Sequence, residues 1–325
     1  MNGAPAISPQ GDRVAFVSDR RQYTDVYLMS AYDGRMLRRL IRGERNVQFE
    51  AIPSFRAALT WSPDGQRLAL VARGGGHDIL YVVSASSGRV LRSFDLGCPT
   101  LSYPAWSPRS DSVAVVGAKG DRSDIYMVNV KTKKFSRITN DLWDEMELTW
   151  RPDGRAITFA SDRAAPVVLQ PQRRVGAYGG YGIFELDLGT GLVSRVVDTG
   201  GEDHSPAWCA DGTKLAFVSD RSGTPNIYLY DLRDTTTTQL TDVEGGVTSL
   251  SWSRVDDRLV FAAYNRAGVD IFEVREAPRS TRCSSGCSNT CRRRWSTPTA
   301  SAKPCRIRCR PCRAMARSQR SGRIA

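Results

Sequence analysis

Acidic residues and one histidine gather just ahead of three of the tryptophans, Trp150, Trp208 and Trp252. The candidates are Asp141, Asp144, Glu145, Glu147, Glu202, Asp203, His204, Asp242 and Glu244. Carboxylates and an imidazole can bind cations or exchange protons. They also serve as solvated loop charges and turn caps, and loop composition favours this second interpretation, in which His204 is a turn residue.

The residues needed for catalysis are scarce. The chain has two histidines, His77 and His204, which is too few for a site built from several histidine metal ligands. The Gly-x-Ser-x-Gly pentapeptide of serine hydrolases does not occur, and no segment remains to build a hydrolase domain. We therefore expect no enzymatic activity, no catalytic residue, no cofactor and no metal.

A repeated element of 44 or 45 residues must position these side chains. Five of the seven tryptophans carry the repeat: Trp61, Trp106, Trp150, Trp208 and Trp252. Turns related to Trp-Ser-Pro-Asp-Gly follow them, and short β-branched and aromatic segments come next, with no sustained helical periodicity. This pattern predicts an all-β, six-bladed propeller over residues 1–275. The six repeats cover roughly 4–46, 57–98, 102–140, 146–198, 204–241 and 248–275.

The repeat resembles that of a known family. Its most distinctive segment is a Ser-Asp-Arg triplet, present as Ser18-Asp19-Arg20, Ser161-Asp162-Arg163 and Ser219-Asp220-Arg221. With the Ser-Pro-Asp-Gly turn, it is similar to the TolB-like (WD40-like, PD40-repeat) β-propellers over roughly residues 4 to 275. The resemblance implies a non-catalytic protein-interaction scaffold of the bacterial periplasm, with a protein partner that is envelope or peptidoglycan-associated.

The same repeat also occurs in the propellers of prolyl-oligopeptidase and dipeptidyl-peptidase-type proteins. The alternative function is therefore that of an accessory propeller of a peptidase whose catalytic domain is absent from this chain. We interpret the triplets as structural because a catalytic group is needed only once. Their carboxylates are expected to accept turn amide hydrogens and their guanidinium groups to pair along the blade edge. The tryptophans are expected to pack between blades.

One insertion breaks the period in the fourth repeat. The Trp150 to Trp208 gap is 58 residues long, and the excess falls in residues 164–182. The insertion contains Arg173, Arg174, Tyr178 and Tyr181. Arg and Tyr are enriched among interface hot spots, so this loop is a candidate partner contact. The other interpretation is a flexible variable loop. With Asp144, Glu145, Asp203, His204 and Glu244, these four residues complete our candidate binding set.

Composition changes abruptly at Glu276. Residues 276–325 hold thirteen of the 46 basic residues and one of the 34 acids, and so carry the whole formal net charge of +12. The propeller itself is neutral, which argues against nucleic acid as a partner. No segment suggests membrane insertion, and the N-terminus lacks a signal segment, so the chain as it stands would be cytoplasmic.

The tail, residues 276–325, holds six of the eight cysteines and has almost no core-forming residues. A zinc site, a disulfide framework and a frameshift product are three possible explanations, and the composition favours the third. We expect the tail to be disordered, the last blade to lack its fourth strand, the ring to stay open at one edge, and the chain to be a fragment. Truncation after Arg275 should then leave thermal stability almost unchanged.

Overall fold

The computed structural model describes residues 1–43, 49–53, 58–120, 122–163, 180–265, 268–275 and 293–295, the last of these as backbone alone. In these ranges it contains 24 strands, which form six four-stranded antiparallel sheets, and no helix. The all-β, six-bladed propeller is therefore confirmed.

Blades 1 to 3 are each built from four consecutive strands. Blade 1 comprises β1 (Asn2–Ile7), β2 (Arg13–Ser18), β3 (Asp25–Ser30) and β4 (Met36–Ile41). Blade 2 comprises β5 (Leu59–Trp61), β6 (Arg67–Gly74), β7 (His77–Ser84) and β8 (Val90–Phe94). Blade 3 comprises β9 (Thr100–Trp106), β10 (Ser112–Lys119), β11 (Arg122–Asn129) and β12 (Phe135–Arg137).

Blades 4 to 6 repeat this order. Blade 4 comprises β13 (Glu145–Trp150), β14 (Ala156–Ser161), β15 (Gly182–Asp187) and β16 (Val193–Val197). Blade 5 comprises β17 (Asp203–Trp208), β18 (Lys214–Ser219), β19 (Asn226–Asp231) and β20 (Thr236–Gln239). Blade 6 comprises β21 (Val247–Trp252), β22 (Leu259–Asn265), β23 (Gly268–Val274) and β24 (Arg293–Trp295). The first strand of each blade lines the central channel, and the fourth forms the outer edge.

The core lies between the faces of neighbouring blades. The second strand of each blade is an almost continuous buried apolar run, because both of its faces are covered. Aromatic pairs stack between the second and third strands, as in Phe159–Phe184 and Phe217–Tyr228. The five repeat tryptophans are buried, as expected, with exposures of 2 to 7%. The indoles of Trp61 and Trp150 donate to backbone carbonyls of the preceding blade at 2.9 Å, which joins the blades in sequence.

The Ser-Asp-Arg triplets have the structural role predicted for their carboxylates. Asp162 Oδ1 accepts the backbone N–H of Asp144 at 2.9 Å, and Asp220 Oδ1 accepts that of Glu202 at the same distance. Each carboxylate therefore holds the chain just before an innermost strand begins. The guanidinium group of Arg221 differs from the prediction, since it lies over the ring of Tyr228, 5.3 Å from its centroid.

The ring is closed, contrary to the expectation of an open edge. Ile7 N donates to Ser251 Oγ at 3.2 Å, and Arg258 donates to the carbonyls of Ala31 and Gly11 across the junction of blades 1 and 6. A buried cluster of side chains from both blades fills the same junction. Closure needs no shared strand, because face packing between complete blades is sufficient here.

The expectation that blade 6 lacks its fourth strand is also wrong. Strand β24, from the tail, pairs antiparallel with β23, with Ile271 opposite Trp295 and Glu273 opposite Arg293. Backbone pairing requires no apolar side chains, so the tail composition did not rule out a strand. The rest of the tail lies outside the described residues. Among those that are described, no helix is long and apolar enough to cross a membrane.

Candidate functional site

The central channel is the candidate site. It forms a cavity of about 650 Å³ to which the innermost strands of all six blades contribute. Its wall is rich in Pro, Ala, Ser and Thr residues and includes all five repeat tryptophans and several Leu, Ile, Val and Tyr residues. Three charged side chains line it, namely Glu147, Arg109 and Arg254. Because Glu147 precedes Trp150 whereas the two arginines follow Trp106 and Trp252, the negative and positive charges lie toward opposite mouths of the channel. We call these the acidic mouth and the turn mouth.

Strained backbone recurs along the channel wall. Ala4, Tyr103, Glu147 and Ser205 have φ values of 48°, 51°, 55° and 50°. Each lies at a β-bulge in the innermost strand of its blade. Each also lies three residues before the repeat tryptophan of that blade, or before Ile7, which takes the place of the tryptophan in blade 1. Bulges redirect side chains, and left-handed backbone at non-glycine residues is often found at functional sites. All four residues line the cavity.

Glu147 joins blades 4 and 5 at the acidic mouth. Its carboxylate accepts the backbone N–H of Ser205 at 2.6 Å and the Ser205 hydroxyl at 3.0 Å, and it lies 3.3 Å from His204 Nδ1. Burial raises the pKa of the Glu147 carboxyl, but His204 and Ser205 outweigh it, so the pKa is lowered. Burial lowers the pKa of His204, but Glu147 outweighs it, so that pKa is raised. The pair is therefore an ion pair that orders the wall.

Two of the predicted acids are buried with an arginine. Arg163 is fully buried and donates to Asp141 at 2.6 Å, to Glu145 at 2.5 Å and to Ser161 at 2.8 Å. Burial raises the pKa of the Glu145 carboxyl well above its usual range, and the neighbouring Asp141 adds to the effect. Glu145 is thus held inside blade 4, away from the channel surface. Its hydrogen bonds with Arg163, together with those of Asp141 and Ser161, fix the link before β13 to strand β14 and the residues after it.

The other described candidates have different positions. Asp203 is buried and accepts the backbone N–H and hydroxyl of Thr199 at 3.0 and 2.6 Å, and burial raises its pKa. Asp144 accepts the Ser123 hydroxyl at 3.2 Å. Tyr181 is partly buried against blade 5, and Glu244 is exposed. These residues do not form one ring around the mouth, because most are paired within the blades.

Arg173, Arg174 and Tyr178 lie outside the described residues. Of the predicted acids, Glu147 is the one that lines the channel, and His204 reaches the wall by its contact with Glu147. The part of the chain that the structure describes contains no group of three or more His, Cys, Asp or Glu residues placed to hold a metal.

Sequence reasoning missed the arginines of the turn mouth. The position two residues after each repeat Trp, or Ile7, holds Pro in blades 1 to 4, Ala210 in blade 5 and Arg254 in blade 6. Aligning the six turns would have revealed this exception. Within the described residues, Arg254 has no hydrogen bond or ion pair, and burial lowers its pKa with no opposing cause. Arg109 lies in the equivalent turn of blade 3 and has no described side-chain partner.

Fold and channel together define a six-bladed β-propeller. The family model of the TolB beta propeller domain, PD40, matches residues 54–172. The chain is 28% identical over 181 residues to a protein TolB homolog of Chlorobium luteolum, which covers 56% of this chain and 35% of that protein. It is 26% identical over 239 residues to the Tol-Pal system protein TolB of Francisella tularensis, covering 73% of this chain and 48% of the relative. It therefore spans between about a third and a half of these relatives.

Solved structures agree on the fold. TolB from Acinetobacter baumannii superposes with a TM-score of 0.58 at 20% identity, over 83% of this chain and 60% of that one. A puromycin-hydrolyzing peptidase of Mycobacterium tuberculosis superposes with a TM-score of 0.57 at 15% identity, over 85% of this chain and 52% of the peptidase. The chain thus has the β-propeller fold found in these two solved structures, and its residues 54–172 are similar to the TolB beta propeller domain.

Proposed function

We propose that this protein is a non-catalytic interaction scaffold whose central channel binds an extended peptide segment of a partner protein. The observation that carries the proposal is the channel itself, at about 650 Å³. That volume falls within the roughly 300–1,000 Å³ of typical ligand sites. Its small, polar and aromatic wall suits a peptide backbone with modest side chains.

The innermost strands offer a second source of binding. Each is hydrogen-bonded to a neighbouring strand on one side, as in the pairing of β13 with β14, and its other edge faces the channel. Unpaired backbone N–H and C=O groups along such edges can pair with an extended peptide. The bulges at Tyr103, Glu147 and Ser205 vary the direction of these groups, which would make the pairing selective.

The hydrogen bonds of Ser205 order the channel wall at the boundary of blades 4 and 5. Its hydroxyl donates to the Glu147 carboxylate at 3.0 Å and lies 3.3 Å from His204 Nδ1, and the three side chains together order the wall. The chain has no Gly-x-Ser-x-Gly segment of the kind that carries the nucleophile in serine hydrolases. We expect peptidase, esterase and lyase substrate panels to read at background.

The relatives suggest where the scaffold works. One of them is named as a Tol-Pal system protein. By this similarity we place the protein in the bacterial periplasm, with a protein partner that is envelope or peptidoglycan-associated.

A second candidate function, the accessory propeller of a peptidase, is supported by the structural similarity to the puromycin-hydrolyzing peptidase. A hydrolase domain found in continuous reading frame with residues 1–275 would favour it.

A plug in the channel tests the proposal. A Cβ added at Gly3, which lines the cavity, meets only Val17 Cγ2 at 3.9 Å, so Gly3→Trp is the variant chosen to block the channel, and its melting temperature is measured first to show that it folds. The matched control is Leu192→Trp, on the exposed outer side of blade 4. A synthetic random peptide library is passed over each protein, and retained peptides are sequenced by mass spectrometry. We expect retention by the unaltered protein and the control, and loss with Gly3→Trp; equal retention by all three would contradict channel binding.

A further inference from the structure

The charges on the channel wall are arranged along its axis. Glu147 lies toward the acidic mouth, where His204 and Ser205 already satisfy its carboxylate. Arg254 and Arg109 lie toward the turn mouth, in blades 6 and 3, which face each other across a ring of six. A linear ligand in the channel would therefore meet a different charge at each end.

The acids near the turn mouth do not neutralise these arginines. Asp64, Asp153 and Asp211 occupy the third position after Trp in blades 2, 4 and 5. Each turns back into its own turn and accepts a backbone N–H at 2.9 to 3.0 Å. None of the three lines the cavity. The positive charge at this mouth thus has no internal counter-charge among the described lining residues.

The two arginines are held in different ways. The stem of Arg109 rests against the turn of blade 4, since a Cβ at Gly154 would lie 2.9 Å from Arg109 Cγ. Arg254 stands where four other blades have Pro, and its side chain lines the cavity without a hydrogen-bond or ion-pair partner among the described residues. A guanidinium without a partner is available to form the two parallel hydrogen bonds by which arginine binds a carboxylate.

We propose that the turn mouth is a carboxylate site, in which Arg254 and Arg109 bind the acidic end of the peptide that occupies the channel. The inference rests on the proposed function and adds a direction to it. The carboxylate is either the C-terminus of the partner segment or an Asp or Glu side chain close to that end. Both present the planar pair of oxygens that a guanidinium binds through two hydrogen bonds.

The test compares two forms of the same random peptide library, one with free C-terminal carboxylates and one with C-terminal amides. Unaltered protein should retain the carboxylate form about tenfold more strongly, the ratio expected for a charge-assisted hydrogen bond. The double variant Arg254→Gln/Arg109→Gln should remove this preference. The control is Arg89→Gln, which removes one positive charge from an exposed arginine on the outer side of blade 2, away from the channel. This variant should keep the preference for the carboxylate form.

Each outcome has one meaning. Enrichment of Asp or Glu near the C-terminus of retained amidated peptides, lost in the double variant, supports the site with a side-chain carboxylate as its ligand. Equal retention of both forms without such enrichment, still blocked by Gly3→Trp, overturns the carboxylate site and leaves the proposed function intact. A preference that survives the double variant also overturns it. Failure of unaltered protein to retain either form contradicts the proposed function, and the carboxylate site with it.

Discussion

Glu147 and His204 form the most informative pair of single residues, since they join two blades at the channel wall. Their side chains are 19% and 26% exposed, so the pair is only partly screened by water. Two further bonds from Ser205 hold the carboxylate in place. The geometry explains why both residues were attractive candidates in the sequence, and why their role is to order the wall.

This pair predicts a pH-dependent contribution to stability. The raised pKa of His204 stabilises the fold below its ordinary value of 6.5, and that stabilisation is lost as pH rises through the raised value. The lowered pKa of Glu147 stabilises the fold above its ordinary value of 4.5, and that part is lost as pH falls through the lowered value. Both contributions to stability are therefore fully present between pH 4.5 and pH 6.5, the ordinary pKa values of the two groups.

We expect His204→Asn to cost about 1 kcal/mol of unfolding free energy at pH ~5.5 and much less at pH ~8.5, measured by denaturant unfolding. His77→Asn is the control, because His77 pairs with Asp95 where both side chains are open to solvent, at 34% and 56% exposure. A cost for His204→Asn that stays constant across this range would show that the ion pair contributes nothing.

Arg163 shows how a repeated motif acquires a special environment in one blade. The equivalent arginines Arg20 and Arg221 lie over aromatic rings of their own blades. Arg163 also lies over Phe159, but it is fully buried and bonded to two acids. The triplet is the same in all three blades, and the difference arises from Asp141, in the preceding link, and Glu145, the first residue of β13.

At the scale of the element, β24 gives the clearest prediction. The strand adds a fourth member to blade 6 through backbone pairing with β23. Truncation after Arg275 removes these bonds, each contributing about 1 kcal/mol, and exposes the edge of β23. We expect the melting temperature to fall by roughly 5 °C, given the usual shift of about 2–4 °C per kcal/mol. Truncation after Trp295 keeps the strand and should leave the melting temperature unchanged; equal melting of the two truncated proteins would contradict a structural role for β24.

The bulges show a second effect at this scale. A register shift in five of the six innermost strands places one extra residue opposite the second strand. In Glu147 and Ser205 this produces left-handed backbone at two residues that contact each other across a blade boundary. Strain at both ends of one contact indicates that the surrounding blades hold the wall in a single arrangement.

For the whole molecule, the junction of blades 1 and 6 decides whether the ring is continuous. Arg258 is buried there and donates to Ala31 O at 2.8 Å and to Gly11 O, while its Nε bonds Asp256 at 2.7 Å. Removing it leaves two carbonyls unsatisfied in a buried junction, a cost of roughly 1–3 kcal/mol for each.

We therefore expect Arg258→Ala to lower the unfolding free energy by about 3 kcal/mol and to increase amide exchange first in blades 1 and 6. The measurements are denaturant unfolding and hydrogen exchange followed by mass spectrometry. The control is Arg67→Ala, since Arg67 lies over Trp106 between blades 2 and 3, where the chain itself connects the blades. Uniform exchange around the ring in Arg258→Ala would show that this junction has no special role.

The amino-acid sequence by itself determined the repeat, its six-fold count, the strand identity and the burial of the tryptophans. These features depend on short-range patterns, a turn followed by apolar runs, which recur often enough to be recognised without knowing the contacts. The structural role of the Asp162 and Asp220 carboxylates could also be predicted from the sequence, because their partners lie just before the innermost strand of the same blade.

Only the tertiary structure decided how the ring closes, that Arg293–Trp295 completes blade 6, and which charged residues reach the channel. Glu145 and Glu147 are two positions apart, yet one is buried with Arg163 and the other lines the cavity, because Glu147 lies within a bulge of the strand. Arg109 and Arg254 are 145 positions apart but share one mouth. Such placements depend on the packing of one blade against the next, which no local pattern in the sequence encodes.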